Sequence, residues 1–294
     1  MYLNKKQRIC IMITLNAHAK INLSLDVLNK RDDGYHNLKM IMQTLQLHDI
    51  ITIQEIKSGI EIECDAPYVP NNNSNIAYKA AGKLIEKYGL DAGVRIKIDK
   101  RIPVAAGLAG GSTDAAAVLK GMNKLFGLGL DQQGLMDIGK TIGADVPYCI
   151  VGGTALAEGI GEIITPLPKM EPIPVILIKP RFGVSTASVF KSLQIDKITD
   201  RPKTDLLIEA LKNKDANFIS RNLCNVLESV TVERYPLIDK IKKDLISKGS
   251  MGSIMSGSGP TVFGLFEDDS VAKKAYSKIN KNRVDCILTY ITND

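Results

Sequence analysis

Apolar and polar residues alternate over the first sixty positions of the chain, and this alternation predicts β-strands. It begins at Ile13 and returns in the segments 41–47 and 50–56, with the two-residue period of a half-buried strand. An Asp-Asp-Gly turn signal at 32–34 interrupts it. The region up to Ile62 is therefore predicted as strands joined by tight turns.

Helical spacing replaces this alternation after a polar loop at residues 70–75. Apolar residues recur at helical intervals from Ile76 to Ile85, and Gly89 follows as a stop signal. This pattern predicts one amphipathic helix, and the next apolar alternation predicts a strand over 94–98.

An alanine-rich segment then predicts a helix that opens behind a glycine-rich loop. Ser112 or Thr113 is expected to cap this helix, and Asp114 suits its first turn. A shorter helix is predicted over 132–143.

Four prolines between residues 166 and 174 predict a boundary between two halves of the chain. The second half is predicted to hold, in order, a strand at 175–179, two or three helices, a glycine-rich turn at 252–260, a strand at 262–266, a further helix and a final strand at 286–291. This order predicts an α+β fold with an N-terminal domain over 1–165 and a C-terminal domain over 166–294.

Composition places the chain among globular proteins, because 45% of its 294 residues are hydrophobic and 24% are charged. No apolar run approaches the roughly 18 residues that a membrane span requires, and polar residues interrupt the short apolar segment near the N-terminus. We therefore expect a cytoplasmic protein with no membrane partner. The five cysteines are odd in number and lack a C-x-x-C pair, which favours small packed thiols over disulfides or a metal site.

The formal net charge of +6 does not by itself indicate nucleic-acid binding. Lys5, Lys6 and Arg8 supply three of the positive charges, and the others are scattered among acidic residues. The chain has no tryptophan and only 5% aromatic residues, whereas a nucleic-acid surface combines a basic stripe with aromatic side chains. A mild basic excess suits an anionic small molecule equally well, so no nucleic-acid partner is expected.

The strongest chemical signal is the glycine-rich stretch from Gly107 to Asp114. Gly107, Gly110 and Gly111 let the backbone approach a ligand closely, and the helix behind them directs free N–H groups and its positive dipole end toward the loop. These features suit a polyphosphate, with a ligand-free turn as the alternative. The stretch matches neither a Walker A loop nor a Rossmann turn.

Three further features each have a functional and a purely structural interpretation. The segment 256–261 (Ser-Gly-Ser-Gly-Pro-Thr) could support or cover the same anion, or form a plain β-turn. Lys20 lies among apolar neighbours and needs either a partner or a path for its head to water. Asp145 also stands among small and apolar residues, where it could be a turn aspartate. Spacing alone does not establish whether Lys20 and Asp145 meet.

A tyrosine beside a histidine follows the turn at 32–34. Tyr35 and His36 could present a stacking face and a hydrogen-bonding edge to a nucleobase, or they could form a plain hairpin tip.

Four motifs in this order resemble those of the GHMP kinase superfamily: AKINLSLDV with RDDGYHNL, PVAAGLAGGSTDAAAVL, GADVPY with GGTALAEGIGE, and SGSGPTVFG. The resemblance runs from about Met12 to the C-terminus. DGYH and GADVPY make the chain similar, within that superfamily, to kinases of the non-mevalonate (MEP) isoprenoid pathway that act on a cytidine-diphosphate alcohol. Residues 1–11 have no counterpart in the pattern and are predicted to be an extension.

The resemblance implies a two-domain α+β kinase with its active site in the interdomain cleft. ATP with Mg²⁺ would supply the γ-phosphate to the 2-hydroxyl of the alcohol, with Asp145 as general base and Lys20 as its charged neighbour. The implied substrate-binding residues are Asn22, Tyr35, His36, Thr186 and Phe190. The implied ATP-binding residues are Asn75, Pro103, Val104, Ala105, Ala106, Gly107, Leu108, Ala109, Gly110, Gly111, Ser112 and Thr113. No dedicated metal ligand stands out among the acidic residues.

These roles agree with the chemistry of phosphoryl transfer, which depends on positioning and charge neutralisation. Three alternatives stay open at this point. Another GHMP kinase, acting on a mevalonate-type alcohol or homoserine, would have no use for a clamp of Tyr35, His36 and Phe190. A nucleotide-binding module without catalysis would not need both Lys20 and Asp145. A nucleic-acid protein would show salt-dependent binding of oligonucleotides.

Overall fold

Within residues 11–294, the part of the chain that this computed structural model describes, eleven strands form two β-sheets. The strands are β1 (Met12–Lys30), β2 (His36–Ile56), β3 (Ile60–Cys64), β4 (Gly93–Asp99), β5 (Thr154–Gly159), β6 (Ile163–Pro166), β7 (Pro174–Pro180), β8 (Cys224–Asn225), β9 (Gly252–Met255), β10 (Val262–Leu265) and β11 (Val284–Tyr290). The α-helices in the same residues are α1 (Ile76–Tyr88), α2 (Gly110–Phe126), α3 (Gln132–Gly139), α4 (Val146–Val151), α5 (Thr186–Ser192), α6 (Thr204–Lys212), α7 (Ala216–Arg221), α8 (Glu228–Arg234), α9 (Leu237–Ser247) and α10 (Asp269–Lys278).

The first sheet is built on the long β1–β2 hairpin, in the order β3-β4-β2-β1-β8, with β5 on β2 and β6 on β5. Because β2 has 21 residues, its segment 50–56 pairs with β4 while its segment 38–43 pairs with β5. The register of β1 against β2 shifts between His18 and Lys20. There the Lys20 backbone N–H donates to the Leu108 carbonyl oxygen at 3.1 Å, which ties β1 to the loop before α2.

The helices α1 to α4 share a hydrophobic core with the first sheet. Alternation along β4 buries Val94, Ile96 and Ile98 in this core, and burial of such aliphatic surface is the main stabilising contribution. Helix α2 lies close to the sheet because Gly121 has no side chain; a Cβ there would lie 2.5 Å from Ile53 Cδ1.

The second sheet is antiparallel in the order β11-β7-β10-β9. Its strand β7 is a continuous apolar run, and residues 175–178 are all at most 2% exposed. Ile176 and Ile178 enter one core that also holds Leu25 and Met40 of the hairpin. The side chains of β7 that alternate with these enter a second hydrophobic core, which also holds residues of the hairpin. Both faces of the second sheet therefore pack against the first sheet.

Most of the predicted elements are confirmed. The four strands predicted over 94–98, 175–179, 262–266 and 286–291 are present with ends within two residues of those bounds. The turn at 32–34 and the helix after residue 75 are also present, and Gly89 ends that helix with φ 57°, the left-handed conformation that glycine favours.

Several helix bounds differ from the prediction. The N-cap of α2 is Ala109, so the prediction of Ser112 or Thr113 as cap, with Asp114 in the first turn, was wrong. Helix α3 ends at Gly139 rather than 143. Five short helices, α5 to α9, replace the predicted two or three, and residues 252–255 of the predicted turn form β9.

The division into domains at 165/166 stays a prediction; it falls at the end of β6. The predicted N-terminal extension lies outside the described residues apart from Ile11, and Cys10 lies outside them too. Of the other predicted packed thiols, Cys64 is buried and the remaining three are half-buried. No helix between residues 11 and 294 is long and apolar enough to cross a bilayer.

Candidate active site

A single cavity of about 1610 Å³ gathers the predicted site residues from both halves of the chain. Its lining includes every residue predicted for ATP or substrate except Thr113: Lys20, Asn22, Tyr35, His36, Asn75, residues 103–112, Asp145, Thr186 and Phe190. Thr113 is 3% exposed and lies inside α2, away from the cavity wall. Pockets for one small molecule measure about 300–1000 Å³, so this cavity has room for two nucleotide-sized ligands.

The loop between β4 and α2 forms one wall of this cavity, and residues 100–109 are called the phosphate loop below. Ala105, Gly107 and Ala109 have φ angles of 52°, 75° and 59°. Backbone that alternates between left-handed and other conformations is typical of concavities that bind anions. The loop leads into the first turn of the 17-residue helix α2, where unpaired N–H groups and the helix dipole favour negative charge. Left-handed alanines store strain of a kind that is found at ligand sites.

The second glycine-rich segment packs directly against the phosphate loop. Ser256 Oγ donates to the Gly107 carbonyl oxygen at 3.0 Å, and a Cβ at Gly107 would lie 2.4 Å from the Ser256 carbonyl oxygen. The sequence suggested that this segment supports or covers a bound anion, and the observed contacts are those of a support behind the phosphate loop. Thr186 Oγ1 lies 2.7 Å from Ser258 Oγ, so the same segment also reaches α5.

Gly107→Ala is expected to weaken ADP binding by about tenfold or more. An alanine at φ 75° is strained, and its Cβ would collide with backbone of the second glycine-rich segment, so the phosphate loop must shift. Gly127→Ala is the matched control: Gly127 also has positive φ, but a Cβ there would meet nothing within 4 Å. Calorimetric titration with ADP measures the difference, and equal affinities in the two variants would contradict the importance of this contact.

Lys20, Asn22 and Asp145 come together at the end of the phosphate loop. Lys20 Nζ donates to Asn22 Oδ1 at 2.8 Å and lies 3.9 Å from Asp145 Oδ2. The Lys20 side chain is 5% exposed and that of Asp145 is 34% exposed. A buried ammonium thus has a neutral acceptor and a carboxylate that opens into the cavity. Asp145 is placed there because α4 begins immediately after it, with Pro147 in the first turn.

Aromatic rings lie at the other end of the cavity. The His36 and Phe190 rings stack with centroids 5.2 Å apart and an interplanar angle of 29°. Burial, followed by the nearby Lys30 charge, lowers the pKa of His36 below its ordinary value, which favours the neutral ring at pH 7. Tyr35 is 60% exposed, and its backbone is fixed by the turn, where its N–H donates to Asp33 Oδ1 at 3.1 Å.

Asn75 lies at the nucleotide side of the predicted site, and its side chain already holds local structure. Its Oδ1 accepts from the Ala77 N–H at 2.9 Å, which caps α1, and its Nδ2 donates to the Pro70 carbonyl oxygen at 2.9 Å. Asn75 therefore orders the loop at 70–75 beside the phosphate loop.

Sequence reasoning missed a buried ion network beside the phosphate loop. Lys100 Nζ donates to Asp49 Oδ2 at 2.5 Å and to Asp114 Oδ2 at 2.7 Å. Both Lys100 and Asp114 line the cavity. The one available signal was Asp49 itself, an acid inside a run of strand residues, where an unpaired charge is costly.

A metal centre built from protein groups is absent from residues 11–294, since no three His, Cys, Asp or Glu side chains there cluster closely enough to hold an ion. The hydroxyl of Ser112, in the first turn of α2, is a polar group that lines the cavity beside the phosphate loop.

Two family models match this chain: "GHMP kinases N terminal domain" over residues 75–153 and "GHMP kinases C terminal" over residues 207–285. A protein of Acetivibrio thermocellus named 4-diphosphocytidyl-2-C-methyl-D-erythritol kinase is 54% identical over 277 residues, which cover 94% of this chain and 98% of that protein.

Two solved kinase structures are also similar to this chain. A crystal structure of a 4-(cytidine 5'-diphospho)-2C-methyl-D-erythritol kinase superposes with a TM-score of 0.83 at 31% identity and covers 96% of this chain and 100% of that one. A homoserine kinase from Cytophaga hutchinsonii superposes with a TM-score of 0.76 at 19% identity, covering 100% of this chain and 97% of that one, which is a likeness of fold alone.

Proposed function

Because this chain belongs to the 4-diphosphocytidyl-2-C-methyl-D-erythritol kinase family of the GHMP kinases, we propose that it phosphorylates the 2-hydroxyl of that cytidylyl alcohol, with Asp145 as general base. The chain is an ATP-dependent kinase with an alcohol acceptor, of the α+β GHMP fold. The observation that carries the finer proposal is the shared cavity, which places a phosphate loop, a Lys-Asp pair and a ring cluster around one space.

ATP would lie with its phosphates on the phosphate loop and on the N-terminus of α2. The unpaired N–H groups in the first turn of α2 and the dipole of that helix would supply positive potential there. The Asn75 end of the cavity would hold the nucleoside. The Ser112 hydroxyl, which lines the cavity in the first turn of α2, would contact Mg²⁺ supplied with the ATP, and the ion would neutralise part of the phosphate charge. The described residues fit this arrangement, since they offer a hydroxyl beside the loop and the N-terminus of a 17-residue helix.

Asp145 would orient the acceptor hydroxyl and take its proton. As the hydroxyl oxygen forms its bond to the γ-phosphorus, the bond from that phosphorus to the β,γ-bridging oxygen breaks and ADP leaves. The proton passes to the Asp145 carboxylate, which the cavity keeps accessible at 34% exposure. Lys20, 3.9 Å from that carboxylate, would offset negative charge on the transferring group.

The cytosine would bind among the rings of Tyr35, His36 and Phe190. Tyr35 and Phe190 would supply stacking faces, and neutral His36 would offer one donor and one acceptor to the base edge. Thr186, hydrogen-bonded to Ser258, and Asn22, hydrogen-bonded to Lys20, would contact the parts of the substrate nearer the reacting hydroxyl.

Tyr35→Ala is expected to raise the KM for the cytidylyl alcohol about tenfold with a small change in kcat, since base stacking contributes roughly 1–3 kcal/mol. The control is Tyr68→Ala, because Tyr68 is 87% exposed and lines the same cavity next to the loop at 70–75. Steady-state kinetics with saturating ATP measures both variants. An unchanged KM in Tyr35→Ala would count against stacking by this ring.

The position of the new phosphate can be read by ³¹P NMR of the product. The 2-carbon of the substrate carries a methyl group and no hydrogen, so a phosphate on its hydroxyl shows no three-bond coupling to a proton. Proton-coupled splitting of the new phosphomonoester signal would place the phosphate on another hydroxyl and contradict the proposed acceptor.

A further inference from the structure

The start of the phosphate loop is tied to a buried carboxylate of the neighbouring strand β2. Asp49 is 0% exposed, and its Oδ1 accepts from the backbone N–H groups of Arg101 and Ile102 at 2.5 and 2.7 Å. Its Oδ2 accepts from Lys100 Nζ at 2.5 Å. These three hydrogen bonds fix the start of the loop. The Lys100 side chain also reaches Asp114 on α2.

Helix α2, which follows the far end of the loop, is tied to Lys100 through Asp114. Lys100 Nζ donates to Asp114 Oδ2 at 2.7 Å, and a Cβ on Gly110 would lie only 3.0 Å from that nitrogen. The lysine head therefore packs against the first residue of α2, in a space that exists because Gly110 has no side chain. Its side chain is 5% exposed, so little water shares its hydrogen bonds.

The network has two carboxylates and one ammonium, and one carboxylate oxygen has no partner. Asp114 is 2% exposed, and its Oδ1 is buried without a hydrogen bond. An ionised oxygen in that position would lack both water and a donor, which is costly. A proton on Oδ1 removes the charge from this buried oxygen, which lowers the cost, and leaves the network with one negative and one positive charge.

We propose that Asp49, Lys100 and Asp114 form a positioning network for the phosphate loop, in which Asp114 is the uncharged acid when the nucleotide binds. Asp49 and Lys100 hold the start of the loop to β2 and to the helix that follows the loop, and neutral Asp114 keeps negative charge away from the polyphosphate. The three residues act through the loop and are not catalytic. This inference rests on the proposed function only in placing the nucleotide on that loop.

The surroundings of the Asp114 carboxyl support this assignment. Burial raises the pKa of Asp114 to about 8; the Lys100 ammonium opposes that rise and the Asp49 carboxylate adds to it. Burial lowers the pKa of Lys100, but the two carboxylates outweigh it and raise the value above its ordinary range. Two further groups face the network from the end of β3: Asp65, which accepts from the Lys100 backbone N–H at 2.9 Å, and the buried Cys64 thiol, whose pKa burial raises.

The sign of the pH effect follows from these charges. Below about pH 8 Asp114 is protonated and the network is neutral; above it Asp114 ionises, and a net negative charge develops beside the bound phosphates. ADP has lost its own last proton by about pH 7.5, so its charge is constant over the alkaline range. Nucleotide affinity is therefore expected to fall as the pH rises through 8.

The test is calorimetric titration of ADP into the full-length protein from pH 7.5 to 9.5. Wild-type affinity should fall by about tenfold, which is the scale of one unit charge near a phosphate at effective protein dielectric. Asp114→Asn, which copies the neutral acid, should keep the pH 7.5 affinity and lose the dependence. A wild-type affinity that is flat with pH, or an equal fall in Asp114→Asn, would overturn the inference.

The loop-holding role has a separate readout in hydrogen exchange of the nucleotide-free protein. Asp49→Asn should speed exchange in residues 101–113 by about tenfold relative to the rest of the chain. Ile53→Val, a core truncation in the same strand, should change exchange without favouring that segment. Exchange in 101–113 that matches this control would overturn the positioning role. Failure of wild-type protein to bind ADP at any pH would instead contradict the proposed function, and the inference with it.

Discussion

Asp145→Asn is expected to lower kcat at least about a hundredfold while the KM for ATP changes little. The amide keeps the size of the side chain and can still hydrogen-bond to the acceptor hydroxyl, but it cannot take the proton. General-base catalysis contributes about 10²–10⁴-fold. Because the proposed mechanism puts the reacting hydroxyl at Asp145, 3.9 Å from Lys20, its loss should act on the chemical step more than on binding.

The control for this variant is Asp137→Asn, the same change at a half-exposed carboxylate that pairs with Lys140 on the surface. Its kcat should equal that of the wild type. Steady-state ADP release measures both proteins. Wild-type turnover in Asp145→Asn would remove Asp145 from the role of base, whereas a loss confined to KM would make it a binding residue.

Lys20→Met is the second substitution with a large expected effect, a fall in kcat of about a hundredfold. Methionine retains most of the apolar stem and packs in the same buried strand position. The substitution removes the ammonium next to Asp145 and leaves Asn22 Oδ1 without the donor that now lies 2.8 Å away. Removal of one preorganised charge or donor from a buried site costs about 10²–10³-fold.

Lys39→Met is a matched control on the adjacent strand β2, because Lys39 pairs with an Asp205 side chain that is 90% exposed. It should retain wild-type kcat, since an exposed ion pair contributes little. Thermal unfolding of both variants separates lost activity from lost fold. A Lys20→Met protein with near wild-type kcat would show that the Lys-Asp pair is structural.

The elements that sequence predicts best are those with strong local signals. β4 alternates strictly, and α1 combines helical spacing with a glycine stop, so their bounds are set by neighbours along the chain. The start of α2 was missed because Ala109 takes a left-handed φ of 59°. Nothing in an alanine's chemistry predicts that conformation; it is imposed by the packing of the loop.

The residues of the site also fall into two groups: those that form a local motif in the sequence, and those that only the packing of distant elements brings together. The phosphate loop and the ring pair Tyr35-His36 are contiguous in sequence and were visible as motifs. The meeting of Lys20 with Asp145 joins positions 125 residues apart, so it depends on how β1 and α4 pack. The Asp49–Lys100–Asp114 network joins a strand, a loop and a helix, and its partners become evident only when the three elements are together.

The most direct test of the account is ADP release from Mg-ATP with three alcohols in parallel: 4-diphosphocytidyl-2-C-methyl-D-erythritol, mevalonate and homoserine. We predict turnover with the cytidylyl alcohol and none above background with the other two. Turnover with mevalonate or homoserine but not with the cytidylyl alcohol would leave the fold and the phosphate loop as described, and would contradict the assignment of Tyr35, His36 and Phe190 to a nucleobase.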